Sequence, residues 1–371
     1  MDRPGTNVVL DEFFPGEAPP SKGAAPPQHA RAPGPYARVV TQGLADMTRG
    51  EAVATISFHE ARFDAAAMED ASFGLRLGLP FPLSVKTRAY RGPRCELFGV
   101  IDGRGGRDVA EFVRSGFPEA FCAALAASDE GGGAGMPFLA EARAAGLPDG
   151  VRAAMFSAVL QLEQNLRSVA TDDLRAKAWA QGASACFVFI GPQGAAPRAA
   201  EGPGGRPAQR LRVANVGDVA AVLGRNNGAL GASLTAVPLT TKHSAADAAE
   251  AAAIRARGGF VLADAEGVPR AQGVLGTSRC IGLTQVKPCV SAVPSVAAVD
   301  VGPSDEFLIV ASRGLWQHLT HQEAVNVVAH YRATAARRDC KDAAEALVGT
   351  ARMKTGAARV DNTSALVLFF A

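Results

Sequence analysis

The 371-residue sequence has few of the features that mark membrane, secreted or nucleic-acid-binding proteins. It contains no run of about 18 apolar residues, so we expect no membrane-spanning helix. The N-terminus has neither the apolar core of a signal peptide nor a glycine for myristoylation. The net charge is only +2, which argues against a basic surface for nucleic acid. These absences predict a cytoplasmic or nuclear protein that binds no nucleic acid and spans no membrane.

Cysteine is also scarce. The six cysteines are scattered and do not have the spacing of metal ligands. This pattern favours small core residues of an intracellular protein. Hydrophobic residues make up 48% of the chain, which is ample for the core of one large domain or two ordinary ones.

The first part of the chain differs in composition from the rest. Residues 1–40 are rich in proline, alanine and glycine, which predicts a disordered tail. Residues 41–371 are predicted to form the folded domain. Within the tail, residues 10–14 (LDEFF) are either a short docking motif or a chance apolar patch.

One stretch combines a buried strand with a glycine-rich turn. Apolar residues between Leu97 and Ile101 lead directly into Asp102, and glycines follow at Gly103 and in the next turn. Glycine lets the backbone turn tightly and approach a ligand closely. The pattern therefore predicts a strand that ends at a functional site and holds a carboxylate there.

The helical spacing of apolar residues predicts several amphipathic helices. We expect a helix over 107–127 that is interrupted at Pro118, and a long helix over 151–180. A further helix over 245–257 should end at the glycine pair that follows it. Thr320 and Glu323 form a capping-box pattern for a helix through about residue 332, and another helix is predicted over 340–354.

Short apolar runs between turn signals predict the strands. They fall at 52–58, 97–101, 185–190, 211–216, 219–223, 307–310 and 365–370, and residues 75–94 are predicted to form a loop or an irregular hairpin. Many strands in hairpins with helices in pairs predict an α+β fold. We expect a β-sandwich of two antiparallel sheets with helices on the outside, in α-β-β-α layers.

Several motifs occur in the order found in one enzyme family. They are the segments 98–103 (FGVIDG), 214–218 (ANVGD), 287–288 (KP), 305–308 (DEFL), 311–316 (ASRGLW) and 361–362 (DN). With these motifs the chain resembles the metal-dependent protein Ser/Thr phosphatases of type 2C over roughly residues 50–371. The resemblance implies the same sandwich fold.

The resemblance also implies a site. In that family, carboxylates hold two Mn²⁺ or Mg²⁺ ions, and a metal-bridging water attacks the phosphoryl group. Asp102 matches the bridging aspartate and Gly103 the residue that lends a carbonyl. The other acidic positions of the family that are kept here are Glu69, Asp70, Asp218 and Asp361.

Other positions depart from the family pattern. Arg104 replaces a histidine that is thought to act as general acid, and an arginine cannot exchange a proton near neutrality. Arg313 replaces a metal-ligating aspartate, and Leu283 stands where the family has another aspartate. Ala65 stands where the family has a phosphate-gripping arginine, which leaves Arg62 displaced by three residues.

The arginines decide the interpretation by their charge. A guanidinium about 4 Å from a divalent cation is repelled by about 8 kcal/mol at an effective dielectric near 20. We therefore hypothesise that Arg313, together with Arg104, fills the vacated metal space and pairs with Asp102, Asp361 or Glu69. Glu69, Asp70, Asp102, Gly103 and Asp361 are then vestigial metal ligands, and no cofactor is expected.

The sequence thus predicts a catalytically inactive pseudophosphatase that acts as a protein-binding adaptor or regulator. Because one branch of the family is inactive and activates a kinase as an adaptor, the resemblance implies a kinase or a phosphoprotein as partner. One alternative is a weakly active phosphatase with a degraded site, in which Mn²⁺ or Mg²⁺ still binds. Another is a sensor of phosphate or phosphopeptides that is lined by Arg104 and Arg313.

Overall fold

The strands of the molecule form two large antiparallel sheets and a small hairpin. The computed structural model describes residues 37–38, 57–63, 69–77, 95–129, 142, 147, 149–168, 171–192, 209–228, 234–334, 340–355 and 361–370. Within these residues the strands are β1 (Ala37–Arg38), β2 (Ser57–Phe63), β3 (Ala71–Leu77), β4 (Cys95–Arg104), β5 (Gly182–Pro192), β6 (Gln209–Val216), β7 (Ala220–Arg225), β8 (Thr235–Pro238), β9 (Val261–Ala263), β10 (Pro269–Ala271), β11 (Ile281–Gly282), β12 (Ser295–Asp300), β13 (Asp305–Ala311) and β14 (Thr363–Phe369).

The order of the strands defines the two sheets. One sheet runs β1-β2-β14-β13-β7-β8, and the other runs β12-β6-β5-β4-β3 with β11 added beside β5. The hairpin consists of β9 and β10. Strands β4 and β5 pair over nine positions and place Asp102 opposite Ser184. The second sheet therefore carries the central stretch that the sequence singled out.

Helices accompany both sheets. In the described residues they are α1 (Asp108–Asp129), α2 (Gly150–Ser168), α3 (Asp172–Ala180), α4 (Ala248–Ala256), α5 (Arg313–Trp316), α6 (His321–Thr334) and α7 (Cys340–Thr355), with a 3-10 turn at Thr284–Val286. None of the helices that the structure describes is long and apolar enough to cross a membrane.

Three apolar clusters hold the layers together. Between the sheets, residues such as Val100 and Val188 of one sheet pack against Leu308 and Leu366 of the other. On the outer face of the β4–β5 sheet lie α1 and α2, where the rings of Phe117 and Phe187 stack. On the outer face of the other sheet lie α6 and α7. These clusters confirm the predicted α-β-β-α sandwich.

Two predictions about where a helix is interrupted were wrong. Pro118 lies inside α1, which continues without a break. Its neighbours Val113, Phe117 and Phe121 are completely buried against the sheet, and this packing outweighs the loss of one helical hydrogen bond. The single helix predicted over 151–180 is instead two helices, α2 and α3, because Thr171 caps the start of α3 through the N–H of Leu174.

The strand boundaries also differ from the predictions. Strand β2 begins at Ser57, so it overlaps the predicted strand 52–58 by only two residues, and residues 52–56 lie outside the described part. Strand β3 extends to Leu77 into the predicted loop, whose residues 78–94 are not described. Strand β4 does not end at Asp102 but continues to Arg104. The predicted tail lies outside the described residues except for Ala37–Arg38, which pairs with β2.

Local signals with a strong physical basis were confirmed. Helix α4 is followed by Gly258 with a φ of +83°, a conformation that favours glycine. At the start of α6, the carboxylate of Glu323 accepts the N–H of Thr320, and the hydroxyl of Thr320 accepts the N–H of Glu323. This reciprocal pair is the predicted capping box.

Candidate functional site

Five acidic residues from four separate segments meet at one end of the sandwich. Glu69 and Asp70 precede β3, Asp102 lies near the end of β4, Asp218 lies in the turn between β6 and β7, and Asp361 precedes β14. We call these five residues the carboxylate cluster. Hydrogen bonds and charge interactions join all five around Arg313, the first residue of α5.

Arg313 joins the carboxylate cluster through both its backbone and its side chain. Its backbone N–H donates to Asp102 Oδ2 at 2.8 Å. Its Nη2 lies 2.7 Å from Asp361 Oδ2, and its Nε lies 4.0 Å from Asp218 Oδ2. The side chain is only 27% exposed. The guanidinium therefore lies among the carboxylates that the sequence matched to metal ligands.

The surrounding acids shift the pKa of Arg313. Burial lowers the pKa, but the negative charges of Asp102, Asp361 and Asp218 outweigh burial, so the pKa lies above its usual value. The guanidinium is thus held in its charged form by the cluster.

Two serine hydroxyls orient two of the aspartates. Ser184 Oγ donates to Asp218 Oδ1 at 2.9 Å, and Ser364 Oγ donates to Asp70 Oδ2 at 2.8 Å. Gly217 makes the first contact possible, because a Cβ there would lie 2.1 Å from Ser184 Oγ. Sequence reasoning missed both serines, since each lies within an apolar strand and gives no local signal of its partner.

Two carboxyls of the cluster have a raised pKa. The pKa of Asp102 is raised, first by burial and then by the charges of Asp70 and Asp218, although Arg313 opposes the shift. The pKa of Glu69 is also raised, mainly by burial, while the N–H of Gly105 and the charge of Arg104 oppose the shift. Folding therefore makes ionisation of these two carboxyls less favourable.

Gly103 lies in β4 directly against the backbone of Glu69. A Cβ at Gly103 would lie 2.2 Å from the carbonyl oxygen of Glu69. Glycine is therefore required for the segment of Glu69 and Asp70 to approach Asp102. The role of Gly103 as a carbonyl ligand remains a prediction.

Arg104 behaves differently from Arg313. It is the last residue of β4, lies half-buried opposite Gly182 and is close enough to Glu69 to affect its pKa. The side chain of Arg104 forms no hydrogen bond or ion pair with any other residue that the structure describes, although its backbone pairs with Gly182 in the sheet. Of the two arginines, Arg313 is thus the one that the structure pairs with the cluster.

Leu283 turns away from the carboxylates. Its side chain is 1% exposed and packs in an apolar cluster with Cys280, Ile254 and Val290. Its backbone has a φ of +48°, a left-handed conformation that aspartate and asparagine adopt more readily than leucine. The N–H of Leu283 donates to the carbonyl of Gln181 at 2.7 Å, which holds the segment in place.

The remaining predicted positions are only partly visible. Ala65 lies outside the described residues. Arg62 lies in β2 opposite Ser364 of β14, and its side chain is not described. The match of this region to a phosphate-gripping arginine therefore stays a prediction.

A buried histidine that sequence reasoning did not single out supports the turn with Asp218. Nδ1 of His243 accepts the N–H of Gly217 at 3.0 Å, and its Nε2 lies 2.7 Å from Ser295 Oγ. Burial and the charge of Arg279 lower the pKa of His243 to about 4. The imidazole is thus neutral near pH 7 and can accept the hydrogen bond of Gly217.

The carboxylate cluster offers several oxygen atoms that could bind a metal ion, but the guanidinium of Arg313 lies among them. In the part of the chain that the structure describes, no group of three or more histidine, cysteine, aspartate or glutamate side chains is arranged to hold a metal ion.

Solved structures share the fold. The serine-threonine phosphatase 2C from Toxoplasma gondii matches with a TM-score of 0.62 at 20% identity, over 85% of this chain and 95% of that one. A sex-determining protein of C. elegans matches with a TM-score of 0.60 at 18% identity, over 86% of this chain and 66% of that one. At these identities the likeness establishes the fold alone.

Curated proteins with similar sequences also match this chain. Probable protein phosphatase 2C 30 of Arabidopsis thaliana is 32% identical over 242 residues, which are 65% of this chain and 50% of that protein. The chain spans about half the length of the first curated relatives that it matches. The family model described as Protein phosphatase 2C matches residues 77–359. The chain therefore belongs to the protein phosphatase 2C family.

Proposed function

We propose that this chain is a catalytically inactive member of the family that acts by binding a protein partner. The observation that carries the proposal is the guanidinium of Arg313, whose Nη2 lies 2.7 Å from Asp361 Oδ2 within the carboxylate cluster. Mn²⁺ and Mg²⁺ need several free oxygen ligands that converge on one point. Here a cation of the chain itself uses one of those oxygens and lies next to the others.

The residues present do not fit the metal pair that the family implies. A divalent cation about 4 Å from the guanidinium would be repelled by about 8 kcal/mol at an effective dielectric near 20, which is an upper figure because the side chain can move. Movement of Arg313 would still leave the metals one carboxylate short of the family pattern. Leu283 offers no replacement, since its side chain is buried among apolar residues.

The proton chemistry of the family also lacks its acid. Arg104 stands at the position of the histidine that is thought to protonate the leaving group, and a guanidinium stays protonated at any physiological pH. Loss of the acid and loss of a metal ligand affect different steps of the reaction. Together they support the loss of catalysis more strongly than either does alone.

Binding of a protein partner is a function that the retained fold still allows. The apolar packing of the sandwich is intact, so the chain can present a stable surface although its site is altered. As an inactive member of this family, it would act as an adaptor or regulator of a kinase or a phosphoprotein, in the cytoplasm or the nucleus.

The experiment is a measurement of phosphopeptide hydrolysis across a Mn²⁺ titration, with Asp102→Ala as the matched control. We expect no turnover by the native chain above that of the control at any Mn²⁺ concentration. A triple variant, Arg104→His with Leu283→Asp and Arg313→Asp, tests whether the altered positions are the cause. Turnover that rises with Mn²⁺ in the native chain and disappears in Asp102→Ala would overturn the proposal.

A weakly active phosphatase is the second candidate, and one observation favours it. Asp70, Asp102, Asp218 and Asp361 still converge at one end of the sandwich. The same Mn²⁺ titration decides between the two candidates. The phosphate-sensor alternative is less favoured, because the surplus of carboxylates repels an anion. Phosphopeptide binding that is lost in both Arg104→Ala and Arg313→Ala would support it.

A further inference from the structure

We propose that the guanidinium of Arg313 is the permanent structural cation of the carboxylate cluster, so that the folded chain needs no divalent metal for its stability. Removal of the guanidinium should make that stability depend on a divalent metal. The inference rests on the same side chain as the proposed function, but it concerns the stability of the fold rather than turnover.

The balance of charge is the first observation. Five carboxylates converge in the cluster, whereas Arg313 is the only cation that forms an ion pair there among the described residues. Carboxylates held close together in a buried site repel one another and cannot all ionise without a nearby positive charge. Arg313 supplies that charge to Asp361 directly and to Asp102 and Asp218 at short range.

The fixed position of Arg313 is the second observation. Its backbone N–H binds Asp102, and its side chain binds Asp361, so the residue is held at two points. The next residue, Gly314, lies so close to the start of β14 that a Cβ there would be 2.1 Å from the carbonyl oxygen of Asn362. The segment is therefore packed tightly, and the backbone of Arg313 cannot shift without movement of α5.

The nature of the guanidinium is the third observation. Its Nε is buried and makes no hydrogen bond within the described residues, although it lies 4.0 Å from Asp218 Oδ2. The group thus satisfies Asp361 by direct contact and the other acids mainly by charge. A neutral side chain of similar size could not do this, because only the charge reaches several carboxylates at once.

The test compares thermal unfolding of the native chain and of Arg313→Ala in EDTA and in Mn²⁺. We expect the native chain to unfold at the same temperature in both media. The unfolding temperature of Arg313→Ala should be about 5–10 °C below that of the native chain in EDTA. Mn²⁺ should restore much of this difference, since it can neutralise the carboxylates that have lost the guanidinium. Calorimetric titration of the folded variant with Mn²⁺ should detect binding that the native chain lacks.

The matched control is Arg225→Ala. Arg225 Nε donates to Asp305 Oδ1 at 2.7 Å, and the side chain of Asp305 is 2% exposed, but this pair lies at the end of β7 that is remote from the cluster. Its loss should lower the unfolding temperature equally in EDTA and in Mn²⁺. A metal effect on this control would mean that Mn²⁺ acts on the fold in general, which would overturn the inference.

A double variant covers the case in which Arg313→Ala does not fold. Arg313→Ala with Asp361→Asn removes the carboxylate that the guanidinium contacts, and it should recover part of the stability in EDTA. The inference is wrong if the single variant is as stable as the native chain, or if the double variant recovers nothing. It is also wrong if Mn²⁺ raises the unfolding temperature of the native chain.

The results separate this inference from the proposed function. A native chain that hydrolyses phosphopeptide with Mn²⁺ would contradict the proposed function, whatever its unfolding temperature. An inactive native chain whose Arg313→Ala variant loses no stability would contradict only the structural role of the guanidinium.

Discussion

Two groups of buried charges in this molecule are built in opposite ways. In the carboxylate cluster, five acids surround Arg313, and the pKa of Asp102 is raised. In the second group, Glu250 of α4 accepts hydrogen bonds from Arg279 and Ser278, and His243 lies nearby. We call these four residues the Glu250 network. Burial raises the pKa of Glu250, but its bonds to Arg279 and Ser278 outweigh burial, so its pKa is lowered.

The difference lies in where the compensating charge comes from. Glu250 has one arginine and one hydroxyl directed at it, so its ionised form is favoured by folding. Within the described residues, the backbone N–H of Arg313 is the one hydrogen-bond donor to the carboxylate of Asp102, and two acids lie beside it. The two groups therefore differ in whether a buried acid has a cation and a hydroxyl directed at it or lies beside other acids.

The largest effect is expected from Glu250→Gln. The change leaves the guanidinium of Arg279, whose side chain is 23% exposed, without its carboxylate. We expect the free energy of unfolding at pH 7 to fall by about 3 kcal/mol. Urea denaturation followed by circular dichroism measures it, with Glu266→Gln on the exposed β9–β10 turn as control. An unchanged midpoint would show that the two groups do not differ in the way described.

The next effect is a loss of stability in mild acid that depends on His243. Its folded pKa of about 4 lies below the usual 6.5, so the unfolded chain binds more protons between these values. Stability from this group is complete above pH 6.5 and decreases as the pH falls, by about 2 kcal/mol at pH 5. Arg279, Glu250 and Asp218 are the charges that face it.

Urea denaturation of the native chain and of His243→Gln at pH 7.5 and pH 5 isolates this contribution. The difference in the free energy of unfolding between the two proteins should shrink at the lower pH, because only the native chain has the imidazole of His243. A difference that stays constant between the two pH values would contradict the assignment.

A smaller effect of opposite sign is expected from Asp102→Asn. The folded pKa of Asp102 lies above its unfolded value, so ionisation costs stability as the pH rises. Asparagine keeps an oxygen for the N–H of Arg313 and removes one surplus charge. The free energy of unfolding at pH 7 should rise by about 1 kcal/mol. Asp305→Asn, which breaks an ion pair with Arg225, should instead lower it.

The smallest effect is expected from Arg104→Ala. The side chain of Arg104 has no hydrogen bond or ion pair with another residue among those described, and Arg104 is half-buried at the end of β4. The free energy of unfolding should change by no more than about 0.5 kcal/mol. If thermal unfolding of Arg104→Ala shows a loss as large as that of Glu250→Gln, Arg104 must take part in the cluster as Arg313 does.

Local signals in the sequence predicted much of the fold. The capping box of Thr320 and Glu323 and the glycine after α4 were predictable, because their physical causes lie within a few residues. The continuity of α1 through Pro118 was not, since it depends on the contact of Phe117 with Phe187 on another element. One signal in the sequence indicated that residues 151–180 form two helices, namely Thr171, which caps the second helix. Threonine also occurs inside helices, so this signal was weak.

The site was predictable in its members but not in its contacts. The sequence indicated Glu69, Asp70, Asp102 and Asp361 through their match to a family pattern. It did not indicate that Ser184 would bind Asp218, or that Ser364 would bind Asp70 across 294 positions of the chain. Such pairs depend on which strands are neighbours, and strand order is not encoded by any short motif.

The sequence alone determined the family pattern, the acids that match it and the arginines that depart from it, because these are properties of residue type and order. Only the tertiary structure decided that Arg313 lies between Asp361 and Asp218, that Arg104 forms no ion pair with the described acids, and that Leu283 joins an apolar cluster. The physical reason is that charge interactions weaken with distance and become stronger with burial, where the effective dielectric is lower. The packing of the two sheets sets both for residues that are far apart in the chain.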